Sequence, residues 1–168
     1  MKFLNLFLGI AILALLSCGN SKPSESTASA DDKQQPVESV QNKDGLSIVT
    51  IEGNDQMRFD INEIKVSEGD IVELTLKHVG ELDVKVMGHN FVLLKPGTDI
   101  NDFAKMAMKA KENDYIPVDS PDVIVHTEMI GGGQETSITF DAPAPGTYPF
   151  VCSFPGHVAL MNGEFIVE

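Results

Sequence analysis

Residues 71–79 alternate without a break. Ile71, Glu73, Thr75, Lys77 and Val79 fall on one side of an extended chain, and Val72, Leu74, Leu76 and His78 on the other. A period of two predicts a strand with one buried face. Residues 46–51 are apolar or β-branched throughout except for Ser47. Phe59, Ile61, Ile64 and Val66 are separated by polar residues, with a register slip near Asn62-Glu63. The turn residues Ser67-Glu68-Gly69-Asp70 then reverse the chain. Residues 91–94 form a short apolar strand stopped by Pro96-Gly97, and strand patterns recur at 123–125, 136–140, 147–151 and 163–167. Short strands separated by turn signals predict an all-β fold, a Greek-key β-sandwich. One inserted α-helix interrupts it. Thr98 or Asp99 caps that helix, and Phe103, Met106, Ala107 and Ala110 recur at helical spacing up to a stop at Asn113-Asp114.

The N-terminal pattern differs. Residues 3–16 form a nearly unbroken apolar run after Met1-Lys2, and Ser17-Cys18-Gly19 ends it. The run has the length of a signal-peptide core and falls short of the roughly 20 residues a bilayer span needs. Leu15-Leu16-Ser17-Cys18 is similar to a bacterial lipobox, in which Cys18 would be lipidated and become the mature N-terminus. An ordinary signal peptide cut near Ser17, or an uncleaved anchor, is the alternative. The expected organisation is a signal peptide at 1–17, a lipid-anchored flexible tether at 18–44 and a folded domain at 45–168. The tether is rich in Ser, Lys, Gln, Glu and Asp and lacks aromatic residues, so it cannot offset its ordering entropy by burial.

Composition narrows the function. The chain has 168 residues, 12 Lys plus Arg against 25 Asp plus Glu, and a formal charge of −13. This balance excludes nucleic acid as a general partner, since phosphate binding needs clustered cations. Two cysteines, Cys18 and Cys152, stand in such different contexts that no disulfide scaffold is expected.

Candidate chemistry concentrates in residues 152–161. Cys152, His157 and Met161 follow one another as C-x4-H-x3-M, with a turn forced by Pro155-Gly156. One loop can therefore aim a thiolate, an imidazole and a thioether at one centre. Soft donors of this kind suit copper, and two His with one Cys and a weak axial Met describe a blue-copper site. His89, just before the apolar strand at 91–94, is the candidate second histidine.

On these residues the chain resembles the azurins, blue-copper proteins of the cupredoxin class. The resemblance rests on Cys152-Ser153-Phe154-Pro155-Gly156-His157-Val158-Ala159-Leu160-Met161, on Gly53-Asn54-Asp55-Gln56-Met57, on Met87-Gly88-His89-Asn90, and on His126-Thr127 followed by Ile130-Gly131. It implies a cupredoxin-like domain with equatorial ligands His89, Cys152 and His157, an axial Met161, and the Gly88 carbonyl on the opposite side. It further implies that Asn90 braces the ligand loops, that Phe154 packs beside the ligands, and that His78 lies close without binding metal. Met57, Met87, Phe154, Pro155 and Leu160 would form an apolar docking patch. The disulfide usual in this family is missing, with Ser47 and Asp70 where its cysteines would be expected.

The function implied is one-electron transfer by a single copper, Cu(II)/Cu(I), between respiratory redox partners such as c-type cytochromes, a peroxidase or a terminal oxidase. The protein would be no enzyme, a monomer or weak dimer, held by Cys18 to a bacterial membrane on the periplasmic side or outer surface of the cell envelope. Copper delivery is the alternative, structural zinc a third reading, and a Cys-His hydrolase a fourth. His126 is expected on the surface, and Gly131-Gly132-Gly133 as a hairpin turn.

Overall fold

A computed structural model describes residues 40–168. The expected signal segment at 1–17, the lipidation site Cys18 and the tether as far as residue 39 lie outside the described residues. Ten strands follow one another among those described: β1 (Val40–Lys43), β2 (Leu46–Asn54), β3 (Arg58–Phe59), β4 (Glu63–Val66), β5 (Ile71–His78), β6 (Val92–Leu94), β7 (Val123–His126), β8 (Glu135–Asp141), β9 (Gly146–Val151) and β10 (Asn162–Val167). Two helices, α1 (Val84–Met87) and α2 (Ile100–Ala107), flank β6. One sheet runs β1-β2-β5-β8, with β3 folded back on the end of β2; the other runs β4-β10-β9-β6-β7. Both are mixed, with β2 parallel to β5 and β4 parallel to β10.

The alternation in β5 does what its pattern predicts. Val72, Leu74, Leu76 and His78 are buried, while Ile71 and Glu73 face solvent. Their partners between the sheets include Val49, Ile51, Ile64, Phe91, Phe150 and Phe165. Each such side chain contributes about 1.5–3 kcal/mol by leaving water. A second cluster gathers Val92, Leu94 and Val151 with Phe103, Ala107, Ile116 and Val158. It is this cluster that fixes the inserted helix to the sandwich.

Three elements differ from the sequence reading. The segment expected as tether to residue 44 ends in β1, which pairs antiparallel with β2 and packs Val40 against the core. The first sheet therefore begins at Val40, not after Asp44. The inserted helix stops at Ala107, six residues before the expected Asn113-Asp114 end; a 3-10 turn at Lys111–Asn113 follows. Asp99 does cap the helix, accepting from the N–H groups of Asn101 and Asp102. Only Phe103 and Ala107 are buried, and Met106 is 42% exposed. An eight-residue helix on a sheet edge buries one narrow stripe, and a residue one position off it faces water. The third difference is α1, a single turn capped by Asp83, whose carboxylate accepts from the Lys85 N–H.

A buried polar knot joins the N-terminal strands. Ser47 Oγ lies 2.6 Å from Asp70 Oδ2 and 2.7 Å from the Asn42 side-chain amide, linking β1, β2 and the turn before β5. Ser47 is fully buried and Asp70 7% exposed.

Candidate metal centre

The sheet order brings the candidate residues together. β6 pairs with β9 through Val92 opposite Val151, so Cys152 emerges from the sheet beside the His89-Asn90 segment that leads into β6. β9 also pairs with β10 through Val151 opposite Asn162, which makes residues 152–161 the connection between two neighbouring strands. Cys152 N–H donates to the Met161 carbonyl at 2.9 Å, and Met161 N–H donates to the His157 carbonyl at 2.8 Å. The loop is thus closed on itself, with its Cys, His and Met at one end of the sandwich.

His89, Cys152 and His157 form a buried cluster whose donor atoms all lie within 4.8 Å of one another. Cys152 Sγ is 3.6 Å from His157 Nδ1 and 4.0 Å from His89 Nδ1. Ligands placed trigonally, with bonds of about 2.3 Å to sulfur and about 2.0 Å to nitrogen, stand about 3.8 Å apart. The donors are therefore spaced to share one metal ion. Cys152 Sγ lies 3.8 Å from the Gly88 carbonyl. Met161 is fully buried beside the cluster; its Cε would be 3.4 Å from a Cβ added at Gly53, and that same Cβ would be 2.7 Å from His89 Cδ2. Any larger residue at 53 would push the His89 ring aside.

Second contacts orient the donors. His89 Nε2 donates to the Asn54 carbonyl at 2.9 Å, which leaves Nδ1 with its lone pair toward the cluster. His78 stacks on His89, with ring centroids 4.2 Å apart and planes 15° from parallel. Its Nε2 donates to the Met87 carbonyl and its Nδ1 accepts from the Gly80 N–H, so neither nitrogen is free for a ligand. Asp55 accepts from the N–H groups of Glu81 and Leu82, which hold its carboxyl below the usual range and tie the β2–β3 connection to the loop before α1. Asn90 accepts from the Ser153 N–H and donates to Ser153 Oγ, both at 2.8 Å, clamping the two ligand-bearing segments together.

Electrostatically the cluster is neutral in the absence of metal. Burial pushes the Cys152 thiol up to about 11, against the pull of the Asn90 and Phe154 N–H groups. Burial, then the neighbouring His89 and His78, pushes His157 down to about 4. His89 is lowered too, chiefly by burial. A metal ion must therefore displace the Cys152 proton, while both imidazoles already offer lone pairs. The same facts dispose of the hydrolase reading: a nucleophilic cysteine is accessible and has a depressed pKa, whereas Cys152 is wholly buried with a raised one.

Around the cluster, Met57, Met87, Phe154 and Pro155 are half-buried and Leu160 is 39% exposed. His126 is exposed and outside the cluster. The sequence reading left out Met129, whose Sδ would be 2.9 Å from a Cβ at Gly88; it left out Tyr115, which meets Phe154, and Val158, which anchors the ligand loop in the second core cluster. Val158 carried a signal, as an apolar residue inside the motif. Met129 and Tyr115 lie in loops, and nothing in their local pattern marks them.

Comparison with known proteins agrees with this geometry. The family model for copper binding proteins of the plastocyanin/azurin family matches residues 47–168. The chain is 46% identical over 120 residues to Azurin-1 of Alcaligenes xylosoxydans xylosoxydans, a match covering 68% of this chain and 92% of that protein. It is 42% identical over 123 residues to outer membrane protein H.8 of Neisseria gonorrhoeae, covering 71% and 67% respectively. Among solved structures, the dithionite-reduced auracyanin of Roseiflexus castenholzii aligns with a TM-score of 0.66 at 32% identity, over 76% of this chain and 99% of that one.

Proposed function

The chain belongs to the plastocyanin/azurin family of copper-binding proteins, and from that footing we propose that it shuttles single electrons between redox proteins of a bacterial cell envelope. It is a blue-copper electron carrier and not an enzyme, and its cofactor is copper. Bound copper supplies a one-electron Cu(II)/Cu(I) couple. In our reading His89, Cys152 and His157 would hold the ion, with Met161 and the Gly88 carbonyl beside them as weaker donors.

The observation that carries this reading is the burial of three donors at ligand spacing, with His89 oriented by the Asn54 carbonyl and Asn90 clamping the segments that carry His89 and Cys152. Donors held in place before the ion arrives need move little when its charge changes, which keeps the reorganisation cost of each transfer low. The same burial speaks against copper delivery, since a carrier that hands over its metal needs open, exchangeable coordination. Visible and EPR spectra of the oxidised protein test the assignment, through an intense thiolate-to-copper band and narrow copper hyperfine splitting.

For partners the reading favours c-type cytochromes, a peroxidase or a terminal oxidase, met through the apolar rim of Met57, Met87, Phe154, Pro155 and Leu160. Electron-transfer encounters are small and brief, so a modest apolar contact suffices. Leu160→Asp or Met87→Lys should slow electron self-exchange and reduction by a c-type cytochrome at least about tenfold, some 1.4 kcal/mol of barrier. Neither is a ligand in this reading, so the copper spectrum should stay unchanged. Stopped-flow mixing and NMR line widths measure the rates; wild-type values in both variants would place the exchange surface elsewhere.

Envelope location draws support from the apolar run at 3–16 and from a relative described as an outer membrane protein. No helix among the described residues is long and apolar enough to cross a membrane. We place the anchor at Cys18, where the apolar run ends; two or more acyl chains there would give a lasting hold. Cys18→Ser should abolish lipid labelling and release the domain to the soluble fraction or leave an unprocessed precursor. Mass spectrometry of the wild-type protein decides the matter: an unmodified Cys18 would end the anchor hypothesis.

A further inference from the structure

The inserted segment reaches the metal loop at two points that the reading above does not use. The first is Val158, which lies directly after His157 and is buried with Phe103, Ala107 and Ile116 from the insertion. The second is Tyr115. The chain leaves the 3-10 turn through two consecutive left-handed residues, Asp114 with φ 48° and Tyr115 with φ 60°. Neither is glycine, and an L-residue keeps this conformation only where its surroundings enforce it. The enforcement is visible: Tyr115 N–H donates to the Ala110 carbonyl at 3.0 Å, Ile116 N–H to the Asn113 carbonyl at 2.8 Å, and Asn113 Nδ2 to the Ile116 carbonyl at 2.7 Å.

The product of that turn is a half-buried Tyr115 ring set edge-on to Phe154, with centroids 5.4 Å apart and planes at 66°. Phe154 in turn lies 4.7 Å, centroid to centroid, from the His157 ring. Its Cδ2 occupies the space over Gly88, where an added Cβ would be only 2.8 Å away. Phe154 is therefore gripped between the two ligand-bearing segments and a third support from outside them.

The geometry points to Tyr115 as a positioning residue for the metal centre, pinning Phe154 as a cover over His157 and Gly88. The inference rests on the copper reading. With Tyr115 in place, Phe154 keeps water from the Cys152–His157 side of the site. Without it, Phe154 gains freedom, water approaches, and the more highly charged oxidised state is favoured.

The experiment compares copper-loaded Tyr115→Ala, Tyr115→Leu and Tyr115→Phe with wild type and with Val118→Ala, a 72% exposed position in the same connection. Reduction potential, copper hyperfine splitting and the rate of Cu(II) loss to a chelator are read alongside the melting temperature. Tyr115→Ala should lower the potential, broaden the EPR spectrum and speed metal loss about tenfold, the lower end of what losing a supporting contact costs a metal site. Tyr115→Leu keeps apolar volume for folding but lacks the ring edge, and should shift the same way. Tyr115→Phe should restore all three readouts, and Val118→Ala should leave them alone. Wild-type potential and spectrum in both Tyr115→Ala and Tyr115→Leu, even with a lower melting temperature, would overturn the inference and make Tyr115 a stabilising residue only. Absence of the blue band in the wild-type protein itself would defeat the copper reading, and this inference with it.

Discussion

Replacing Cys152 with serine abolishes the blue colour expected of the Cu(II) protein. The intense band of such a site is charge transfer from thiolate sulfur to copper, and Cys152 is the sole thiol in the donor cluster. A serine hydroxyl is a harder donor that holds its proton at neutral pH, so it offers neither the orbital nor the charge. The fold should survive. The exchange is nearly isosteric, and the main-chain bond from residue 152 to the Met161 carbonyl does not involve the side chain. Visible absorption, EPR and far-UV circular dichroism of the copper-loaded variant provide the check: at most weak colour, broadened copper hyperfine splitting and an unchanged β spectrum. Strong blue absorption persisting in Cys152→Ser would remove copper–thiolate bonding from the account.

Ser47→Ala should cost about 1.5–3 kcal/mol of stability, the range for a hydrogen bond to a charged group. Ser47 has one proton to donate, and the 2.6 Å contact sends it to the Asp70 carboxylate. Asn42 Oδ1, 2.7 Å from the same hydroxyl, is a second acceptor for that one proton. Removing the hydroxyl strips a nearly buried carboxylate of its best partner, leaving a 3.4 Å approach from the Ser67 N–H. It also loosens β1, which is held to the rest of the domain largely through β2. Urea unfolding of the Ser47→Ala, Asp70→Ala and double variants should give a double-mutant cycle with a coupling energy above about 0.5 kcal/mol. Strict additivity would mean that the two side chains act independently.

Much of the fold was legible because burial is written as a period. In β5 every second residue enters the core, and the apolar run leading into β6 is buried on both sides. β1 was illegible for the opposite reason: Gln41, Asn42 and Lys43 are exposed, and the strand exists by main-chain pairing and one half-buried valine. Met106 misled because helical spacing tells which residues share a face, without telling which of two adjacent stripes meets the sheet. The ligand loop was legible because Cys152, His157 and Met161 lie within ten residues and have a joint chemistry that none has alone. His89 lies 63 residues from Cys152, and donor type rather than spacing identified it. Tyr115 gave no such sign, since it acts through Phe154 and reaches it only through an unusual backbone turn.

The hydrogen-bonded knot at Ser47 bears on how the domain matures. Cys152 is the one cysteine within residues 40–168, and it is free. A clasp made of Ser47, Asp70 and Asn42 asks for no oxidant, no isomerase and no second thiol. The domain at 40–168 therefore has no internal partner with which its metal-binding sulfur can be mispaired. Reductants should leave the melting of the metal-free domain unchanged, and its single thiol stays reserved for the ion.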